Sequence, residues 1–230
     1  MIKRITQTAG FAGLLAALLL TLLQSLWITP LILEAETYEN AEPLAEHSHA
    51  AGAAHEHQHD EDAWAPQDGA QRTLFTGLSN LVVAVGFALM LAGLYSLRAP
   101  GRTWQGLLWG LAGFATFSLA PSIGLPPELP GSAAAELALR QYWWLGTAAT
   151  TAAGLALLAF GGHWWLRVLG VLLLPLPHLV GAPQPEVHAS LVPAALSEHF
   201  VYASLLVNAL FWTALGLISA WLFSRAPQAN

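Results

Sequence analysis

The residues with the clearest chemical potential are histidines concentrated in one short acidic segment. Five of the nine histidines fall within residues 47–59. They are His47, His49, His55, His57 and His59. Three acidic residues, at 60–62, follow them directly. Neutral imidazole and carboxylate groups suit borderline divalent metals such as Co²⁺, Ni²⁺, Zn²⁺ and Cu²⁺. Alternating histidines offer several interchangeable ligand sets. The tract is therefore predicted to bind divalent ions with modest affinity and not to enclose a single ion in a fixed site.

Two other interpretations of this tract stay open. Residues 55–59 match the zinc-protease pattern H-E-x-x-H, in which a helix places both histidines on one face and Glu56 acts as the base. Here the pattern lies among Gly, Ala and Asp residues without an apolar helical frame, which disfavours a membrane metalloprotease. The remaining alternative is a solvated acidic loop that binds nothing.

The composition places this tract on a membrane protein. Hydrophobic residues make up 55% of the 230 residues and charged residues only 10%, with a mean hydropathy of +0.53. An ordinary soluble domain carries about 25% charged residues. The formal net charge of −6 argues against nucleic-acid binding, which needs a basic face. Cysteine is absent, so there is no disulfide framework and no thiolate metal site.

Long charge-free stretches predict an all-α, polytopic transmembrane bundle. Each approaches the length of about 18–20 residues that a membrane-crossing helix needs. The predicted spans are 10–33, 75–97, 104–124, 142–160, 165–180 and 200–223. The fifth is short and contains Pro175 and Pro177, so five spans are the alternative to the six that we prefer. We expect one integral membrane domain over residues 1–230, with 34–72 as an acidic, His-rich loop of little fixed structure.

The basic residues orient this bundle. With six spans, one side carries six of the eight basic residues. They are Lys3, Arg4, Arg98, Arg102, Arg167 and Arg225. The positive-inside rule then puts both termini in the cytoplasm and the loop at 34–72 outside. The first span is much longer than the core of a secretory signal and lacks an Ala-x-Ala site, so we expect it to remain as an anchor.

Small residues within the spans predict close helix packing. Gly106 and Gly110 form a G-x-x-x-G pair with Gly113 nearby, and Gly146, Thr150 and Gly154 repeat at intervals of four. Such residues let helices approach closely in lipid.

Uncharged polar residues recur at one depth of the spans, six to nine residues from their outer ends. They are Gln24, Asn80, Ser118, Thr150 and Asn208. We expect this layer to line a polar pathway, and hydrogen bonding that holds helices together is the alternative. Above the layer, His178, His199, Glu34 and Glu198 are candidates for a metal-binding vestibule. Pro175 and Pro177 free carbonyls near His178 that could assist a cation.

An ordered set of short segments resembles the cobalt transporter subunit CbtA family of bacterial membrane proteins. Its members here are QSLWITPLILEAE at 24–36, RTLFT at 72–76, SLAPSIGLPPELPG at 118–131, RQYWWLGT at 140–147, PHLVGAP at 177–183 and NALFW at 208–212. The resemblance covers nearly the whole chain. It implies a multi-pass inner-membrane protein of cobalt uptake for cobalamin biosynthesis, with a small single-span His-rich partner, CbtB. It also implies five spans, where the charge distribution favours six, and it supplies no ligand set.

Residues and resemblance together predict a non-enzymatic membrane transporter of a divalent transition metal. Co²⁺ is the expected cargo, with Ni²⁺ or Zn²⁺ as alternatives, and no permanently bound cofactor is expected. The chain lacks a G-x-x-x-x-G-K-[ST] loop, so energy from ATP would have to come from a partner. The alternative function is a non-transporting accessory or metal-chaperone subunit of a cobalt or nickel uptake system.

Overall fold

The computed structural model describes residues 1–41, 66–186 and 190–226. These residues are predominantly helical, with one isolated bridge between Ser132 and Ser190, so the predicted all-α fold is confirmed. In chain order the elements are α1 (Ile2–Leu23), the π-helical turn π1 (Gln24–Ile28), α2 (Thr29–Ala41), α3 (Ala70–Leu97), α4 (Gln105–Phe114), the π-helical turn π2 (Ala115–Leu119), α5 (Ala120–Gly124), α6 (Leu137–Phe160), α7 (Trp164–Leu173), α8 (Leu176–Val180) and α9 (Ala194–Arg225).

Five helical segments in the described part of the chain are long and apolar enough to cross a membrane. They are Ile2–Glu39, Ala70–Leu97, Gln105–Gly124, Leu137–Phe160 and Ala194–Arg225. The predicted fifth span corresponds to the shorter apolar segment Trp164–Val180, which is interrupted between α7 and α8. This segment runs back along α6: Gly170 faces Gly154, and the Trp143 Nε1 donates to the Pro177 carbonyl at 3.2 Å. The described chain therefore traverses the bundle six times.

The start of α1 and the end of α9 lie at the same end of the bundle. The Arg4 Nε donates to the Phe223 carbonyl at 2.9 Å, and the guanidinium stacks on the Phe223 ring at 3.8 Å from its centroid. We call this the terminal end. The opposite end, which holds Arg72, Glu128 and His178, we call the loop end.

The helices extend beyond the charge-free stretches that predicted them. The prediction of a loop over 34–72 is wrong at its edges, because α2 continues through Ala41 and α3 begins at Ala70. Leu31 and Ala35 are buried in the core, and Ala35 is 0% exposed. The first pass therefore continues beyond the charge-free stretch that predicted it. The histidines at 47–59 and the H-E-x-x-H match lie outside the described residues.

Prolines interrupt the three passes that run toward the loop end. Pro30 follows π1 and Pro121 follows π2, and each turn has an i→i+5 bond, from Thr29 N–H to the Gln24 carbonyl and from Ala120 N–H to the Ala115 carbonyl. A proline ring inside a helix clashes with the carbonyl four residues earlier, and a widened turn relieves that clash. The third such pass breaks between α7 and α8, whereas the returning passes α3, α6 and α9 are continuous helices.

Small residues form the contact surfaces, as the sequence predicted. Gly106 and Gly110 lie directly against the backbone of Trp212 and Gly216, so the G-x-x-x-G pair packs α4 on α9. Gly154 packs on Gly170, whereas Gly146 faces open space and does not join the stripe predicted for α6. Because lipid supplies no hydrophobic drive between helices, this close approach supplies the van der Waals contact that holds them together.

Candidate functional site

The two ends of the bundle carry opposite charge. Eight carboxylates are among the described residues, and all belong to the loop end. They are Glu34, Glu36, Glu39, Asp68, Glu128, Glu136, Glu186 and Glu198. Only two basic residues, Arg72 and Arg140, share that end, while the six basic residues predicted on one side all lie toward the terminal end. The loop end therefore presents a field that attracts cations.

Both arginines of the loop end are paired with carboxylates. Arg72, in the first turn of α3, donates to both Glu36 carboxylate oxygens and also to Asp68, with an Nη1–Oδ1 distance of 2.8 Å. Arg140, in the first turn of α6, lies 3.1 Å from Glu128 (Nη2–Oε2). Sequence reasoning missed both pairs. Pairing removes most of the positive charge that the arginines would otherwise place at the loop end.

The structure brings four of the five predicted layer residues together as two separate pairs. The Asn80 Nδ2 donates to the Gln24 Oε1 at 2.7 Å and to the Thr21 Oγ1 at 3.0 Å, which links α3 to α1 and π1. The Ser118 Oγ approaches the Asn208 Oδ1 at 3.5 Å, which places π2 beside α9. Thr150 does not join either pair, because its hydroxyl donates to the Gly146 and Thr147 carbonyls of its own helix.

A cavity of about 660 Å³ reaches the second pair from the loop end. It lies between π2 and α5, the start of α6, and α9. Glu128, Arg140 and Gln141 line its outer part, and Ser118 and Asn208 line its deeper part. A smaller cavity of about 100 Å³ lies beside π1 and is lined by Asp68 and Arg72.

Aromatic side chains close the bundle beneath the Ser118–Asn208 pair. Trp212 is one helical turn from Asn208 toward the terminal end and is 1% exposed. Its ring stacks on Phe117 at a centroid distance of 5.6 Å and packs on Phe87 at 4.6 Å. This aromatic cluster lies between the Ser118–Asn208 pair and the terminal end.

The predicted vestibule residues do not form a metal site together. Within the described ranges, no group of three or more His, Cys, Asp or Glu residues is placed to hold a metal ion. Glu34, Glu198 and His199 are exposed. His178 packs edge-on against Trp143 at 5.8 Å between ring centroids, and its Nδ1 is buried without a hydrogen-bond partner. That nitrogen is therefore available to a ligand or to water.

A comparison with protein-family models identifies the chain. The model described as "Probable cobalt transporter subunit (CbtA)" matches residues 2–224. The chain belongs to the CbtA family. The resemblance seen in the sequence is thus confirmed over nearly the whole chain, and the family description, together with the five long apolar helices, makes this a multi-pass membrane protein of cobalt transport. The word "subunit" in the description of CbtA implies a partner in a transporter complex.

Two further comparisons gave no relative. No protein of curated function and no solved structure shows significant similarity to the chain.

Proposed function

We propose that this chain carries Co²⁺, or a closely similar divalent ion, from the loop end of the bundle toward the terminal end. The separation of charge carries the proposal: the eight described carboxylates lie at the end where the cavities open, and the cationic residues lie at the other. A cation is attracted to the first end and not to the second. Family membership supports cobalt as the metal.

The path that we propose uses weak ligands in sequence. The histidines at 47–59, with His178, His199, Glu34 and Glu198, raise the local concentration of the ion above the bundle. The ion then enters the large cavity and meets the hydroxyl and amide oxygens of Ser118 and Asn208. Such neutral oxygens replace part of the hydration shell without trapping the ion, which a transported ion requires.

Passage beyond Asn208 requires the aromatic cluster to move. Phe117 lines the cavity and is part of π2, and its ring stacks on Trp212. A π-helical turn inside an α-helix is rare and is frequently found at functional sites. We infer that rearrangement of π2 shifts Phe117 and opens the path to the terminal end.

Proteoliposomes test the proposed function directly. The purified chain, alone or with its partner, is reconstituted around a Co²⁺-sensitive dye, and external CoCl₂, NiCl₂ or ZnCl₂ is added. We expect saturable quenching with Co²⁺ for vesicles that contain the chain. Empty vesicles and vesicles with heat-denatured protein are the controls. Influx of Co²⁺ that is independent of protein would contradict the proposal.

The aromatic closure favours one second candidate, a non-transporting accessory subunit that captures the metal for a partner. In that case the chain binds Co²⁺ but vesicles containing it alone show no influx. Influx that appears only when the partner is added, and survives disruption of the cavity, would assign the path to the partner.

We propose that the loop end faces outward and that both termini lie in the cytoplasm of a bacterial inner membrane. The chain has no cysteine, so a single cysteine at Gly52 gives an unambiguous probe. We expect an impermeant maleimide to label Gly52→Cys in intact spheroplasts and to label Ala226→Cys only after lysis. The reverse pattern would overturn both the orientation and the inward direction of transport.

A further inference from the structure

We propose that Glu128 is the carboxylate that receives the divalent cation at the mouth of the large cavity, and that Arg140 is a built-in cation that competes for it. This inference rests on the proposed function, because it names the entry site of the transported ion. It assigns roles to two residues that sequence reasoning did not single out.

The position of the pair supports this assignment. Glu128 and Arg140 line the same cavity as Ser118 and Asn208, and they lie nearer the loop end. Each side chain of the pair is 32% exposed. An ion in water can therefore reach the pair, although protein atoms cover most of both side chains. An ion that enters from the loop end meets this carboxylate before it reaches the Ser118–Asn208 pair.

The two ion pairs of the loop end differ in a way that singles out Glu128. Arg72 engages both carboxylate oxygens of Glu36 and a second carboxylate in Asp68. Such bidentate pairing is among the stronger arrangements of charged groups. Glu128 faces one arginine nitrogen at 3.1 Å. A partly exposed single ion pair is worth little, so exchange of Arg140 for a divalent ion costs little.

The cavity is large enough for a hydrated ion. Six water molecules at about 30 Å³ each occupy about 180 Å³. The cavity measures about 660 Å³ and is open to the outside, so its volume leaves room for a hydrated cation.

Charge competition predicts opposite effects for the two residues, and calorimetric titration of the purified full-length chain with CoCl₂ measures them. All variants are made in a parent protein in which glutamine replaces His47, His49, His55, His57 and His59. Co²⁺ binding to the His-rich tract then does not hide Co²⁺ binding in the cavity. We expect Glu128→Gln to weaken Co²⁺ binding about tenfold and Arg140→Gln to strengthen it about two- to fivefold. The double variant should bind as weakly as Glu128→Gln, because Arg140 acts only through Glu128.

Matched variants keep the test decisive. Glu136→Gln removes a carboxylate that is exposed near the same end and outside the cavity lining, so this variant should bind Co²⁺ as the parent does. Arg140→Met is the second neutral variant if Arg140→Gln does not fold. Weaker Co²⁺ binding in the neutral Arg140 variants would mean that Arg140 holds Glu128 in place and does not compete for it, and parent affinity in Glu128→Gln would remove the site. Either result overturns the assignment of Glu128 and Arg140 and leaves the transport proposal intact if vesicles with the chain still take up Co²⁺. If the variants bind Co²⁺ as predicted but the vesicles show no influx, only the transport proposal is overturned.

Discussion

Leucine in place of Gly110 is expected to prevent the folded bundle from forming. A Cβ at this position would meet the Trp212 carbonyl and the Gly216 Cα, which belong to the backbone of α9 and cannot rotate away. Helices α4 and α9 would have to separate, and the contacts of Gly106 with Gly216 and Ala220 would be lost with them. Overpacking of a well-packed core costs about 1–3 kcal/mol of folding free energy. Because the clash at Gly110 is with backbone atoms, we expect its cost to reach or exceed the upper value.

Size-exclusion chromatography in detergent and thermal unfolding measure this effect. Gly146→Leu is the matched control, because no atom lies within 4 Å of a Cβ at that position, and it should leave the elution profile and the melting temperature unchanged. A Gly110→Leu protein that elutes and melts like the parent would show that α4 and α9 are not packed as described.

Leucine in place of Asn208 is expected to stop metal influx while leaving the fold intact. The Asn208 side chain lines the large cavity. Its Oδ1 has only a long contact, 3.5 Å, with Ser118, and its Nδ2 donates to the Ser204 carbonyl of the same helix at 2.9 Å. That contact contributes little to stability, since polar contacts between membrane helices average about 0.6 kcal/mol. Loss of an oxygen ligand where water is scarce is worth about 1–3 kcal/mol, so Co²⁺ influx should fall about tenfold or more.

Asn80→Leu separates a pathway role from hydrogen bonding between helices. Asn80 is 8% exposed and donates to both Gln24 and Thr21, so its replacement breaks two bonds that join α3 to α1 and π1. We expect this variant to lose melting temperature. Dye quenching and thermal unfolding are measured on both variants in the same vesicles and detergent. If Asn208→Leu unfolds as readily as Asn80→Leu and transports normally, the layer holds helices together and is not a path.

The sequence by itself determined the class of the protein and most of its helices. Six charge-free stretches, read against the thickness of a bilayer, predicted helices in all six regions, because a buried backbone in lipid must satisfy its own hydrogen bonds. It also identified Gly106 and Gly110 as a contact surface, since small residues at i and i+4 share one helix face. Family membership followed from ordered segments along the chain and was confirmed by the match over residues 2–224.

Only the tertiary structure decided which polar residues meet. Depth along a helix follows from residue counting, but the direction in which a side chain points around the bundle does not. In the structure, Gln24 pairs with Asn80 and Ser118 pairs with Asn208. Thr150 lies at a similar depth but bonds within its own helix. The ion pair of Glu128 with Arg140 joins a loop to the start of α6, and the cavity behind it exists because π2 and α9 converge there. Contacts of this kind depend on how the passes are arranged in space, which no local pattern in the chain records.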